Sequence, residues 1–231
     1  MHHILTRTKV TKEDNFSFLL FGLIFLLFSS ACVDQFFASS RFGQYLIIAL
    51  TIISMLIGLW SFRNRHFAFK TSIGIVLATL LITTVIAILD KVELEFIHLL
   101  LMLVFFTLSV KLAFQQALFS GEITINHIVG SICIFLLLGL IWAVLYLLLM
   151  ELIPVSFSGI EQGSWKVNFS DFIYFSFVTL TTLGFGDLLP KAPLARFLVY
   201  MEAVVGVFYM AIVVSSLVGA ALNSSPIKRV N

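Results

Sequence analysis

Seven residues between two long apolar stretches, TTLGFGD at Thr181 to Asp187, have the types and spacing that could bind cations. Glycine alternates with a large apolar residue, and glycine adopts positive φ at little cost. Successive carbonyls of an ordinary strand point to opposite sides, so flipping every second peptide would turn them all to one side. A column of carbonyl oxygens of this kind can replace the hydration shell of an ion.

Four identical chains around an axis would close such columns into rings of oxygen ligands. The chain carries one segment of this kind and no internal repeat of it, so we expect a homotetramer. The coordinating oxygens would be the carbonyls of Thr182, Leu183, Gly184 and Phe185, together with the Thr182 hydroxyl. No cofactor is expected apart from the conducted ions.

A short apolar stretch, residues 171–182, leads into these seven residues. A bilayer takes about 20 residues to cross, so this stretch is predicted to be a re-entrant helix, with Ser170 or Asp171 as its N-terminal cap. The partial negative charge of its C-terminus, at Thr181 and Thr182, would favour a cation. Irregular backbone at membrane depth needs protein or water to satisfy it, so TTLGFGD is expected to line an aqueous path.

The elements around this stretch are those of a membrane protein. Of the 231 residues, 60% are hydrophobic and 11% are charged, whereas soluble domains average about 45–50% and about 25%. The sequence therefore predicts an all-α membrane protein with six transmembrane helices and a re-entrant helix between the fifth and sixth. The predicted spans are 16–33, 43–62, 67–89, 95–118, 127–153 and 194–222.

The stretch FSFVTLTTLGFGDLLP resembles the pore helix and signature filter of the potassium channel family, T-x-G-[YF]-G-D. The resemblance covers about 125–222 and includes Arg196 and also Gly206, which lies 20 residues past Gly186. It implies passive conduction of potassium, held by the carbonyls of residues 182–185. It also divides the chain into an N-terminal four-helix bundle, 1–120, and a pore domain, 121–231, with an outer helix 127–153, a pore helix 171–182, a filter 182–187 and an inner helix 194–222.

The sequence departs from the family pattern around the filter. Leu183 stands where valine or isoleucine is usual, and Phe185 replaces tyrosine and lacks its hydroxyl. Tyr174 stands where many relatives have tryptophan, and it could donate a hydrogen bond toward Asp187. Val178 stands where some channels carry a glutamate. Every coordinating carbonyl remains, so potassium selectivity is expected, with a weakly selective cation channel as the alternative.

Two further residues, Thr181 and Glu202, are expected to support the filter. Glu202 lies eight residues into the last predicted span, and ionisable residues inside a membrane are costly, so a function is the default interpretation. Its carboxyl group could approach the back of the filter and replace the one missing at Val178. Alternatively, it is a protonated or hydrogen-bonded acid that holds the pore helix.

The last span also carries a candidate hinge and a candidate gate. Gly206 either weakens the helix locally or permits close helix packing. Four apolar residues at spacings of three and four share one helix face, which either closes the cavity as a hydrophobic gate or packs on a neighbour. They are Val207, Met210, Val214 and Val218.

Two classes of function are disfavoured. A voltage sensor needs several positive charges on one helix, and the fourth span, 95–118, carries only Lys111, so strong voltage gating is not expected. The sequence contains no P-loop, dinucleotide fingerprint or zinc motif, so an enzyme is not expected either.

The distribution of positive charge predicts the orientation. With a cytoplasmic N-terminus, nine lysines and arginines face the cytoplasm and five face outward, which favours cytoplasmic termini in a multi-pass protein of the cell membrane. The expected partners are potassium ions, the lipid bilayer and identical subunits, and the net charge of +2 gives no reason to expect nucleic acid. A non-conducting membrane scaffold that retains the pore fold is the remaining alternative.

Overall fold

The strongly apolar chain folds mainly into helices, which satisfy their backbone polar groups within one segment, as a bilayer requires. The computed structural model describes residues 16–37, 40–61, 66–89, 95–118, 125–160, 163–215 and 219. In chain order its elements are α1 (Phe16–Phe37), α2 (Arg41–Ser61), α3 (His66–Leu89), α4 (Glu95–Leu118), α5 (Ile125–Leu152), β1 (Phe157–Ser158), α6 (Trp165–Leu180), β2 (Leu189–Pro190) and α7 (Pro193–Phe208). The chain continues from α7 as a π-helical segment, Tyr209–Val214.

Six of these helices are long and apolar enough to cross a membrane: α1 to α5, and α7 with most of the π-helical segment. The remaining helix, α6, has 16 residues and is too short to cross. The predicted all-α membrane architecture, with six spans and a short helix between the last two, is confirmed.

The predicted start of the short helix was wrong. The helix begins at Trp165, not at residue 171, and Ser164 caps it by accepting a hydrogen bond from the Lys166 backbone N–H at 3.4 Å. Ser170 and Asp171, the two predicted caps, therefore lie inside the helix, and neither is its N-terminal cap. The two additional turns mix polar residues with the buried anchors Trp165 and Phe169, so a search for a continuous apolar run passes over them.

The predicted end of the helix was wrong by two residues. Thr181 is the C-terminal cap, and the positive φ of 60° at Thr182 takes the chain out of the helix after Leu180. The last span also differs from the predicted 194–222, because regular α-helix stops at Phe208 and the π-helical segment follows. Residues 216–218 and 220–222 lie outside the described residues, as does the predicted domain boundary at 120.

Helix packing places α6 at the centre of the described fold. It lies between α5 and α7 and also contacts α1 and α2, while α4 packs along α5. Side chains with no exposed surface fill the spaces between these helices: Leu26, Leu99, Met102, Cys133, Leu140, Tyr146 and Phe169. The residues that follow α6 are therefore supported by helices from both halves of the chain.

Candidate ion-conduction site

The glycine-spaced segment, Thr181 to Asp187, has an alternating backbone. Thr182, Gly184 and Gly186 have φ values of 60°, 58° and 83°, so positive φ recurs at every second residue. Glycine adopts this conformation freely, but Thr182 does so at a cost of about 1–2 kcal/mol. The alternation expected from the two glycines is present, and it extends one step further to Thr182.

The C-terminus of α6 fixes the start of the glycine-spaced segment. The Thr182 N–H donates to the Thr179 carbonyl at 2.9 Å. The Val178 carbonyl accepts from the N–H of Leu183 at 2.9 Å and from that of Gly184 at 3.2 Å. These bonds satisfy carbonyls that a helix end otherwise leaves without partners. They use the N–H groups of residues 182–184 and leave the carbonyls of the segment available.

Those carbonyls can act as cation ligands. Within the part of the chain that the structure describes, no hydrogen bond reaches the carbonyl oxygens of residues 182–185. The side chains beside them are also exposed in the single chain, by 58% for Leu183 and 65% for Phe185.

The other end of the segment is held by Tyr174 of α6. The expected hydrogen bond is present, because the Tyr174 hydroxyl donates to Asp187 Oδ2 at 2.7 Å. The second carboxylate oxygen, Oδ1, accepts from the Leu188 N–H at 3.0 Å. The Phe185 ring stacks on the Tyr174 ring with 6.4 Å between centroids and 12° between planes. The ring of Phe185 is thus fixed by stacking although it lacks a hydroxyl.

The Tyr174 hydrogen bond also affects titration. It lowers the pKa of Asp187 below its ordinary value of 3.8, and the same bond raises the pKa of Tyr174. A carboxyl group with a lowered native pKa contributes stability that is complete above 3.8 and is lost as pH falls through the native pKa.

We therefore expect Tyr174→Phe to raise the pKa of Asp187 toward 3.8 and to make the glycine-spaced segment acid-sensitive at higher pH than in the native protein. The measurement is conduction while the bath on the Asp187 side is acidified. Tyr45→Phe, which removes the hydroxyl of an exposed tyrosine in α2, is the control and should leave the profile unchanged. Identical acid profiles for Tyr174→Phe and the native protein would contradict the role of this bond.

A short two-stranded sheet, which the sequence did not predict, braces the same end. Strands β1 and β2 pair antiparallel, and the Ser156 carbonyl accepts from the Lys191 N–H at 2.8 Å. Gly159 has a φ of 85°, and a Cβ there would collide with the Asp187 carbonyl oxygen. The sequence signal for this feature was Gly159, which lies in the short connection after Pro154. The residue that it contacts, Asp187, lies 28 residues further along the chain, so the contact could not be found from the sequence.

Glu202 is placed among polar groups of the surrounding helices. Its side chain has no exposed surface, and its carboxyl group contacts the hydroxyls of Tyr146 in α5 and Ser176 in α6. The side-chain partners of Asp187 are Tyr174 and the Leu188 N–H. Of the two interpretations of Glu202, this geometry favours the acid that holds α6.

Gly206 lies where α7 crosses the end of α6. A Cβ at this position would collide with the backbone carbonyl of Leu180. Three residues later the helix becomes π-helical, and the Tyr209 hydroxyl donates to the Ser131 carbonyl of α5. Of the two interpretations of Gly206, the structure favours close packing. The irregular backbone begins only after α7, at Tyr209.

Two of the candidate gate residues face a cavity next to the start of the glycine-spaced segment. Val207 and Met210 are 55% and 54% exposed in the single chain. They line a cavity of about 590 Å³ together with Leu180, Thr181, Thr182 and Gly206. Val218 and the side chain of Val214 lie outside the described residues, so their part in a gate stays a prediction.

One further cluster connects α4 to the start of α6. Lys166 Nζ lies 2.7 Å from Glu95 Oε1, and the Ser164 hydroxyl donates to Glu95 Oε2 at 3.0 Å. Beside this ion pair, the His98 ring stacks on Trp165 with 5.0 Å between centroids. The sequence signal was two opposite charges at the ends of apolar segments. Their pairing across 71 residues required the fold.

A comparison with known protein families agrees with this geometry. Residues 128–222 match the model of a family described as ion channel. The match begins in α5 and runs through α6, the glycine-spaced segment and α7. No solved structure matches the chain. The match over residues 128–222 supports an ion channel family for this part of the chain, and the matched family is one of channels and not of enzymes.

Proposed function

We propose that the chain is one subunit of a homotetrameric channel that conducts potassium passively and selectively. The observation that carries this proposal is the glycine-spaced segment, in which positive φ recurs at residues 182, 184 and 186. The carbonyls of residues 182–185 would coordinate potassium in successive rings. Carbonyl oxygens at this spacing are the ligands of potassium filters, and α6 supplies the negative end of a helix dipole beside them.

The tetramer is proposed because one chain supplies only one side of each ring. Leu183 and Phe185 are exposed in the single chain, and the exposed Val207 and Met210 line an open cavity next to Thr182. Three further copies around an axis would cover it and close the oxygen rings. Native mass measurement in mild detergent should give four copies of the 25.9 kDa chain. A stable dimer would contradict the proposal.

The proposed location is the cell membrane, with both termini in the cytoplasm. The support for this orientation is the excess of lysine and arginine that it places on the cytoplasmic side, nine against five. It would place Asp187 and the two-stranded sheet on the outer side, where the cluster of Glu95 and Lys166 would also lie.

A weakly selective cation channel is the second candidate, and it is favoured by Leu183 and Phe185. Both side chains differ from the family pattern, and selectivity depends on how firmly the carbonyls are held. Flux into liposomes that contain the purified protein, compared between potassium and sodium, separates the candidates. Potassium flux alone supports the proposal, and equal flux of both ions supports the second candidate. Absence of flux would favour a non-conducting scaffold.

Voltage dependence is expected to be weak. Lys111 is the only lysine or arginine of α4, and its side chain is exposed, so α4 has no row of charges to move in the field. One charge that crosses the whole membrane field contributes about 2.3 kcal/mol per 100 mV, and a sensor needs several. Open probability in planar bilayers should change little over 100 mV, and Lys111→Gln should not alter it. A steep conductance–voltage relation that Lys111→Gln flattens would contradict this expectation.

A further inference from the structure

The carboxyl group of Glu202 joins three helices through a chain of hydrogen bonds. Its Oε2 accepts from the Tyr146 hydroxyl of α5. Its Oε1 lies 2.5 Å from Ser176 Oγ of α6. The same Ser176 Oγ lies 2.7 Å from the carbonyl oxygen of Gly139 in α5. The chain of contacts therefore runs from Tyr146 through Glu202 and Ser176 to Gly139.

The number of hydrogen atoms available in this series of contacts decides which group donates in each contact. A carbonyl oxygen only accepts, so the contact with Gly139 must use the single hydrogen of the Ser176 hydroxyl. The contact with Oε2 uses the single hydrogen of Tyr146. One hydrogen is still missing between Oε1 and Ser176 Oγ, and only the carboxyl group can supply it.

We propose that Glu202 is a neutral carboxylic acid that donates its proton to Ser176 and thereby positions α6, and with it the glycine-spaced segment, against α7. With that proton, every contact in the chain has one donor and one acceptor. If Glu202 were ionised, one of the two contacts of Ser176 Oγ would contain no hydrogen. Two oxygens without a hydrogen between them would then lie 2.7 Å apart at Gly139 or 2.5 Å apart at Glu202. The ionised group would also be a fully buried charge whose contacts among the described residues are hydroxyls and no cation.

The position of this acid determines what it does. Ser176 and Leu180 lie one turn apart in α6, and their partners Glu202 and Gly206 lie one turn apart in α7. The two contacts together fix the last turn of α6, and the glycine-spaced segment follows that turn directly. Glu202 is therefore a positioning residue that acts through Ser176 and does not touch the ions. This inference rests on the proposed function only for its effect on conduction.

Infrared spectroscopy tests the proton directly and needs no conduction. We expect the purified native protein at neutral pH to show the C=O stretching band of a protonated carboxylic acid, shifted in heavy water. Glu202→Gln should lose this band. Glu151→Gln, which changes an exposed acid of the same membrane protein, should keep it. An unchanged spectrum for Glu202→Gln would overturn the assignment, whether or not the protein conducts.

Conduction tests the positioning role. Glu202→Gln keeps both bonds, because its amide oxygen accepts from Tyr146 and its NH2 group donates to Ser176, so the potassium-to-sodium permeability ratio should stay within about twofold. Ser176→Ala removes both hydrogen bonds of the Ser176 hydroxyl, to Glu202 and to Gly139, and should lower the ratio by about tenfold. Glu202→Leu, which breaks the bonds to Tyr146 and to Ser176, should lower it at least as much. If Glu202→Leu does not fold, Ser176→Ala decides. A native ratio in Ser176→Ala, or loss of selectivity in folded Glu202→Gln, would overturn the positioning role.

Discussion

Replacing Gly184 with alanine is expected to abolish selective potassium flux while the subunits still assemble. Gly184 has a φ of 58°, and an alanine in this left-handed conformation costs about 1–2 kcal/mol per chain, or about 4–8 kcal/mol in the proposed tetramer. Apart from its two chain neighbours, no residue has a heavy atom within 4 Å of where the added Cβ would lie, so the cost is conformational and not a clash within the chain. The segment would relax by turning a peptide, and its carbonyl would leave the ion path.

The measurement is potassium flux into liposomes together with native mass in detergent. Gly163→Ala is the matched control, because this glycine precedes α6 and its added Cβ would meet only Asn168 Nδ2 at 3.9 Å. Thr182 already has positive φ without being glycine, so the segment holds one strained residue per chain, and a second adds to that strain. Native selectivity in Gly184→Ala would show that the alternating backbone is not what binds the ion.

Replacing Gly206 with alanine is expected to lower the thermal stability of the assembly and to disturb the end of α6. The added methyl group would collide with the Leu180 carbonyl, which is backbone and cannot swing aside. Overpacking of this kind costs about 1–3 kcal/mol per chain. The helices would have to separate just where the glycine-spaced segment begins, so both the melting temperature and the potassium-to-sodium ratio should fall.

Gly74→Ala separates this explanation from an effect on helix flexibility. Gly74 lies inside α3, and nothing within 4 Å would meet its added Cβ. Alanine in a helix interior is favoured over glycine by about 1 kcal/mol, so this variant should melt at the same or a higher temperature. If Gly206→Ala also melts higher, then Gly206 acts as a flexible point of the helix and not as a packing site.

Features that lie within a few consecutive residues could be predicted from the sequence. The six spans follow from long apolar runs, and the alternating backbone follows from the spacing of Gly184 and Gly186. The Tyr174–Asp187 bond could be anticipated only from the family resemblance, because Tyr174 stands where many relatives have tryptophan. For the spans and the alternating backbone the physical signal is local, so hydropathy or glycine spacing is sufficient to find them.

Features that depend on packing between distant residues could not be predicted in the same way. Tyr146 and Glu202 are 56 residues apart, and only the packing of α5, α6 and α7 brings their side chains together. The ion pair of Glu95 and Lys166 depends in the same way on how α4 packs. The change to π-helix at Tyr209 alters the hydrogen-bond register of the backbone and leaves no trace in hydropathy.

A reversal potential tests most directly whether the carbonyls of residues 182–185 select potassium. Purified native protein would be incorporated into a planar bilayer with potassium on one side and sodium at equal concentration on the other. We predict a large reversal potential with the potassium side negative, as a high potassium-to-sodium permeability ratio requires, and its collapse toward zero in Gly184→Ala. A reversal potential of zero for the native protein would contradict the claim.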